Sequence, residues 1–150
     1  MTTTLAEKLH VSQFEIEGMT RSLALYVKQS GVQFEQVVGI ERGGLFVSRP
    51  LAAMLGLPHD SVHISCYTEE GKREVPIVEG CYNGDLKTLV VDDLIDGGTT
   101  IRLFKERFLY KFDDRVAVLY WRVGSPEPEY YVEEKPPRWI CFPWEIDREN

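Results

Sequence analysis

Twice in this 150-residue chain a short apolar run stops abruptly at charged residues and paired glycines, and a helical pattern begins beyond them. The first run is Gln36–Ile40 (QVVGI), followed by Glu41-Arg42-Gly43-Gly44. The second is Lys87–Val91 (KTLVV), followed by Asp92-Asp93-Leu94-Ile95-Asp96-Gly97-Gly98-Thr99-Thr100. Short apolar runs bounded by turn residues read as buried strands. Strands alternating with helices give an α/β fold with a mainly parallel sheet, in which ligands sit beyond the carboxyl ends of the strands. Both unusual loops lie at such ends, so the fold itself brings them together.

The rest of the chain agrees with this pattern. Ser12 is placed to cap a helix from about Gln13 to Gln29, with Glu15 in its first turn, Lys28 in its last and Gly31 as its stop. LFVSRPLAAMLGLP reads as a second helix ending near Gly56 and Pro58, with Pro50 in its first turn. Ser61 to Ser65 is a strand, and Tyr67 to Asp85 is a hairpin or a mobile loop. A helix from Thr99 to Tyr110, a strand from Val116 to Trp121 and a short strand at Tyr130 to Val132 follow. The aromatic, Pro-rich KPPRWICFPWEI reads as an ordered covering segment rather than a helix.

Composition bounds the function. At 43% hydrophobic and 27% charged, the chain has enough apolar material for one core, and it reads as a single domain, residues 1–150. A net charge of -7 argues against nucleic acid or an anionic membrane as partner, although local amides and cations can still hold a small anion. No apolar run approaches the ~18 residues of a membrane span. The start, MTTTLAEKLHVSQ, lacks the basic and apolar regions of a secretory signal. Three cysteines, Cys66, Cys81 and Cys141, without CxxC spacing read as free thiols in a cytoplasmic setting.

The second loop carries the most chemistry. Alternation along a strand predicts that Asp92 and Asp93 point apart, one toward a sugar hydroxyl and the other toward a metal-bound water or a structural partner. Gly97 and Gly98 permit close backbone approach, and Thr99 and Thr100 add hydroxyls where a helix starts, a ready phosphate site. Acids beside such a cradle make sense with a sugar and Mg²⁺. The competing reading is a plain strand–turn–helix with solvated acids. A receiver-type phospho-acceptor pair is disfavoured, because that pair should follow the first strand. In the first loop, Arg42 can fork phosphate oxygens and the glycines expose amides.

Together these residues resemble the type I phosphoribosyltransferases, whose signature is a strand, two acids, two apolar residues and Asp-Thr/Ser-Gly-x-Thr. Asp92, Asp93, Asp96, Gly98 and Thr100 fit; Gly97 departs, and the missing hydroxyl contact is worth about 1.5–3 kcal/mol. The resemblance runs roughly from Val37 to Glu145 and is strongest to the xanthine–guanine and hypoxanthine branch. Glu41-Arg42-Gly43-Gly44 is similar to its diphosphate loop, with Glu41 replacing a small or basic residue. Ser65-Cys66-Tyr67 and Lys72-Arg73-Glu74 are similar to its flexible hood. Trp139-Ile140 with Pro143-Trp144-Glu145 is similar to its base pocket.

What the resemblance implies is a purine phosphoribosyltransferase that makes a nucleoside 5′-monophosphate from phosphoribosyl diphosphate (PRPP) and a 6-oxopurine, in purine salvage. PRPP is held with Mg²⁺. Asp92 and Asp93 hold ribose hydroxyls or metal-bound water, Asp93 being the metal residue. Gly97, Gly98, Thr99 and Thr100 cradle the 5′-phosphate. Arg42, Gly43 and Arg73 take the leaving diphosphate, although Arg73 reads equally well as a solvated residue. Asp96 is the catalytic acid or base at purine N7. Arg122 stands where the branch carries a Lys for the 6-oxo group, Trp139 stacks on the base, and the Ile140 backbone reads its 2-position. A homo-oligomer, dimer or tetramer, is also implied. The rival is a non-catalytic PRPP- or nucleotide-binding regulator on the same fold, kept open by Gly97 and Glu41.

Other candidates read as structural. Trp144 and Phe142 are core aromatics. His10, His59 and His63 lack metal-ligand spacing and belong to surface or core. Glu69, Glu70 and Glu74 form a solvated loop face.

Overall fold

The computed structural model describes residues 7–68 and 71–148. Glu69 and Glu70, read above as solvated, and the first residues of the N-terminal segment lie outside the described residues. In chain order the elements are β1 (Lys8–His10), α1 (Gln13–Ser30), β2 (Gln36–Glu41), α2 (Leu45–Leu55), β3 (His59–Thr68) and β4 (Gly71–Glu79). Then come β5 (Thr88–Val91), β6 (Leu94–Ile95), α3 (Thr99–Arg107), β7 (Arg115–Trp121), β8 (Tyr130–Glu134), β9 (Trp139–Cys141) and a closing 3-10 helix (Pro143–Arg148). The main sheet runs β4-β3-β2-β5-β7, with β6 and β8 also paired to β7. Every pairing in it is parallel except the β3–β4 hairpin. The fold is therefore the expected α/β one with a mostly parallel sheet.

Strand alternation divides the core. Val37, Leu89 and Leu119 face α1 and α2, meeting Leu23, Val27 and Leu51. Val38, Val90 and Val118 face the other way, onto Ile101 and Phe104 of α3. Strands buried on both faces must be apolar throughout, which is why β2 and β5 lack the polar alternation of a half-exposed strand.

Local signals account for the helix ends. Ser12 Oγ accepts from the Glu15 N–H at 3.1 Å, and Gly31 closes α1 at φ 76°. α2 begins at Leu45, which corrects the position of Pro50: it lies in the second turn, not the first. Its missing N–H leaves the carbonyl of Phe46 without its ladder partner. α3 ends at Arg107, short of Tyr110, because Phe108 turns extended and packs with Tyr110 around Phe104 at ring distances of 5.1 and 6.4 Å.

The tail is ordered, as expected, yet it ends in 3-10 turns from Pro143, where a helix was not expected. Its strand, β9, pairs in parallel with β1 through Leu9 and Ile140, an element too short and polar to announce itself. Trp144 stacks between Phe46 and Phe142, at 4.7 Å from each and nearly parallel to both. Phe142 is fully buried, and the stack fastens the tail to α2.

At the amino ends of β5 and β7, buried Asp114 accepts from the N–H groups of Thr88 and Lys111 at 2.8 Å each and pairs with the Lys111 ammonium at 3.2 Å. The same ammonium donates to the carbonyls of Gly84 and Leu86. Replacing Asp114 by Ala strands these donors, and we expect a loss of about 2–3 kcal/mol in urea unfolding; a change near zero would show that water replaces the carboxylate.

Candidate functional site

The parallel register of β2 and β5 pairs Val38 with Val90 and Gly39 with Val91, so the loops that leave these strands start side by side. Between them opens a cleft of about 930 Å³. Of the residues singled out by sequence, Arg42, Gly43, Arg73, Asp92, Asp93, Asp96, Gly98, Thr99, Thr100 and Trp139 line it. Gly97, Arg122 and Ile140 are not among its lining residues.

The first loop is shaped by contact with the second. A Cβ on Gly43 would collide with the Asp93 carboxylate, so any side chain there would push the acid out of place. The peptide between Glu41 and Arg42 is cis. Glu41 accepts from the Ser61 hydroxyl at 3.2 Å, which turns this unusual acid toward β3.

The second loop departs from the expectation that Asp92 and Asp93 diverge. Both border the cleft, and their carboxyl groups interact. The reason is that regular pairing of β5 stops at Val91, and the backbone bends before β6 resumes along the same edge of β7. Asp92 N–H donates to Ala117 O, while Leu119 and Tyr120 N–H share Asp93 O. Asp92 is buried and accepts from the Asp93 N–H at 2.8 Å. Burial first, and the neighbouring Asp93 second, hold the Asp92 carboxyl well above the usual carboxylate range.

Beyond β6, Gly97 and Gly98 both take positive φ, 91° and 86°, and Gly98 caps α3. The turn frees the first N–H groups of the helix at the cleft wall, with Thr99 and Thr100 beside them. Cys66 Sγ lies 3.9 Å from Thr100 Oγ1. The Gly97 N–H itself is engaged by Ser125 Oγ at 2.9 Å.

Across the cleft, Arg73 Nε–H donates to Ser65 Oγ at 3.1 Å, so Arg73 is ordered on the cleft wall rather than merely solvated. Glu74 is exposed, as read. Asp96 Oδ1 pairs with the Arg122 guanidinium at 3.1 Å. Arg122 thus stands beside Asp96 at the border of the site, although it does not line the ligand-free cleft. Trp139 is 60% exposed at the rim, whereas Ile140 is 3% exposed behind it.

Sequence reasoning missed several participants. His63 lines the cleft, with Nδ1 3.8 Å from Glu79, although an isolated histidine offered no local signal. Trp144, read as a core aromatic, does stack in the core but also borders the cleft with Glu145. Ser125 lay in a Gly- and Pro-containing turn without any pattern to mark it. Among the described residues no group of three or more His, Cys, Asp or Glu side chains could hold a metal by itself. No described helix is long and apolar enough to cross a membrane. All three cysteines are free, and Cys66 and Cys141 are buried.

Comparison with known proteins bears on this site. Residues 12–148 match the family model described as the phosphoribosyl transferase domain. A purine phosphoribosyltransferase from Pyrococcus horikoshii Ot3 has a TM-score of 0.78 at 24% identity, covering 92% of this chain and 93% of its own. A xanthine-guanine-hypoxanthine phosphoribosyltransferase from Helicobacter pylori has a TM-score of 0.72 at 21% identity, covering 95% of each chain. A hypothetical protein from Neisseria gonorrhoeae with bound ppGpp has a TM-score of 0.69 at 25% identity, covering 96% of this chain and 94% of that one.

The buried Asp92 carries a stability cost with a definite sign. Its folded value is raised, so the folded state keeps a proton that the unfolded chain releases first. Stability is then full below the ordinary carboxylate range and falls as pH rises toward the raised value. We expect Asp92→Asn to raise the thermal midpoint of the ligand-free protein and to flatten its decline as pH rises above the ordinary carboxylate range. An unchanged pH profile in thermal unfolding would contradict this.

Proposed function

We infer that this chain, which belongs to the phosphoribosyl transferase domain family and is a phosphoribosyltransferase, transfers the ribose 5-phosphate of PRPP to a 6-oxopurine. The observation that carries the reading is the meeting of two loops in one cleft: the Asp93 carboxylate seats against Gly43, and phosphate-type amides at Gly98 to Thr100 flank it. That arrangement suits PRPP, with the diphosphate at the Gly43 loop, the ribose at the paired acids and the 5′-phosphate at the amino end of α3.

In this reading Gly98, Thr99 and Thr100 hold the 5′-phosphate at the amino end of α3, with Gly97 shaping the turn. Asp92 and Asp93 accept ribose hydroxyls. Arg42, the Gly43 amide and Arg73 take the diphosphate as it leaves C1, spreading its charge over fixed donors while positive charge develops on the ribose. The chemistry of the donor set fits Mg²⁺: Asp93 offers a hard carboxylate oxygen at the cleft, and such sites pair one or two carboxylates with substrate oxygens and water. When bound, the ion neutralises charge on the diphosphate.

The Asp96–Arg122 pair supports the choice of base. A 6-oxopurine presents N7–H as donor and O6 as acceptor on one edge. Asp96 accepts from N7–H and takes that proton as the base is joined to the ribose, while Arg122 donates to O6. A 6-amino group would set donor against donor, so adenine is rejected. The exposed indole of Trp139 covers the ring, and the backbone at Ile140 reads its 2-position. Purine salvage in the cytoplasm and assembly as a dimer or tetramer complete the reading.

A purine panel with PRPP and Mg²⁺ tests it. Guanine, xanthine or hypoxanthine should be converted and adenine should not; turnover of adenine alone, or of no purine, would overturn the base assignment. Chelation should abolish turnover and added Mg²⁺ restore it. Asp96→Asn should lower kcat by about a hundredfold or more while PRPP binding persists, and retained turnover would remove Asp96 from the proton-transfer role.

A further inference from the structure

The turn between β7 and β8 touches the phosphate loop at three successive residues. Arg122 pairs with Asp96 at 3.1 Å. Ser125 Oγ accepts the Gly97 N–H at 2.9 Å. The Pro126 ring lies where a side chain on Gly98 would go, its Cδ 2.7 Å from such a Cβ. The turn is itself fastened at both ends of this contact. Arg122 N–H donates to Ile95 O, Ser125 N–H to Arg122 O, and the Trp121 indole N–H to Ser125 O at 3.2 Å.

This arrangement meets a weakness created by the sequence. Two adjacent glycines have the largest backbone entropy to lose, and Gly97 has nothing within 4 Å of the position its Cβ would take. No side chain at 97 holds the loop in its ligand-binding shape. Its N–H is held from outside instead, by a hydroxyl 28 residues away in the chain.

We propose that Ser125 is a positioning residue for the 5′-phosphate loop, supplying from the β7–β8 turn the restraint that Gly97 cannot supply itself. Ser125 Oγ is turned to the Gly97 N–H, and the residue is not among those lining the cleft, so it acts through Gly97 and not on substrate. By fixing Gly97, it keeps the N–H groups of Gly98 to Thr100 aimed into the cleft before any ligand arrives, and the ordering cost of binding falls accordingly. The inference rests on the assignment of this loop to the 5′-phosphate.

Two probes separate the possibilities: ribose 5-phosphate, which needs the loop, and magnesium diphosphate, which does not. Calorimetry on the full chain should show Ser125→Ala weakening ribose 5-phosphate binding roughly five- to tenfold, the scale of one hydrogen bond. Diphosphate affinity should stay within about twofold. Ser125→Thr, which keeps the hydroxyl, should restore binding, and amide exchange at Gly97 should quicken in the Ala variant alone. Unchanged or tighter ribose 5-phosphate binding in Ser125→Ala, or an equal loss for both probes, overturns the positioning role while leaving the phosphate assignment standing. If the unaltered protein binds diphosphate but no ribose 5-phosphate, the loop assignment fails and this role fails with it.

Discussion

The parallel pairing of β2 with β5 is the constraint on which the rest of the site depends. Two strands in register deliver their carboxyl ends to the same place, and whatever follows each must fit against the other. Gly43 leaves room and Asp93 takes it. The strands can lie so deep only because both faces are covered, by α1 and α2 on one side and α3 on the other. Their apolar sequence and the polarity of the loops are thus two consequences of one geometry: backbone pairing exhausts itself inside the sheet, and unpaired polar groups collect where it ends.

The same geometry explains why the site is costly to maintain. Asp92 is buried beside a second carboxylate, and the Asp93 N–H that donates to it offsets this in part. Two consecutive glycines at positive φ are likewise a poor choice for folding and a good one for presenting amides. Energy invested in such features must come from elsewhere, and here it comes from large apolar contacts: the Phe46–Trp144–Phe142 stack, and the aromatic cluster around Phe104. The stack serves twice, since Trp144 also borders the cleft and links the tail to α2.

Much of this organisation was legible in the sequence where the signal is local. The Ser12 cap and Gly31 stop bounded α1 closely, because capping depends on residues within one turn. The strand–glycine–helix junctions at 41–44 and 92–100 were legible for the same reason. The errors came where a distant group overrode local preference. α3 stopped early because Phe108 and Tyr110 found Phe104, and Asp92 and Asp93 converged because β7 draws the backbone of that segment out of strand geometry. Arg122 was placed near the site by resemblance, but its pairing with Asp96 was not visible.

Sequence by itself determined the fold class, the two loops and about half of the residues that line the cleft, because hydrophobic period and turn chemistry are written in neighbouring residues. Tertiary structure alone decided which groups brace them. The β1–β9 pair joins Lys8 to Trp139, Ser125 holds Gly97, and Asp114 gathers the ends of β5 and β7. These contacts span tens of residues, and a hydroxyl, an amide or a short polar strand looks the same in sequence whether or not a partner is waiting. Only packing of the apolar core brings the partners within hydrogen-bond distance, and only then do those residues acquire a role.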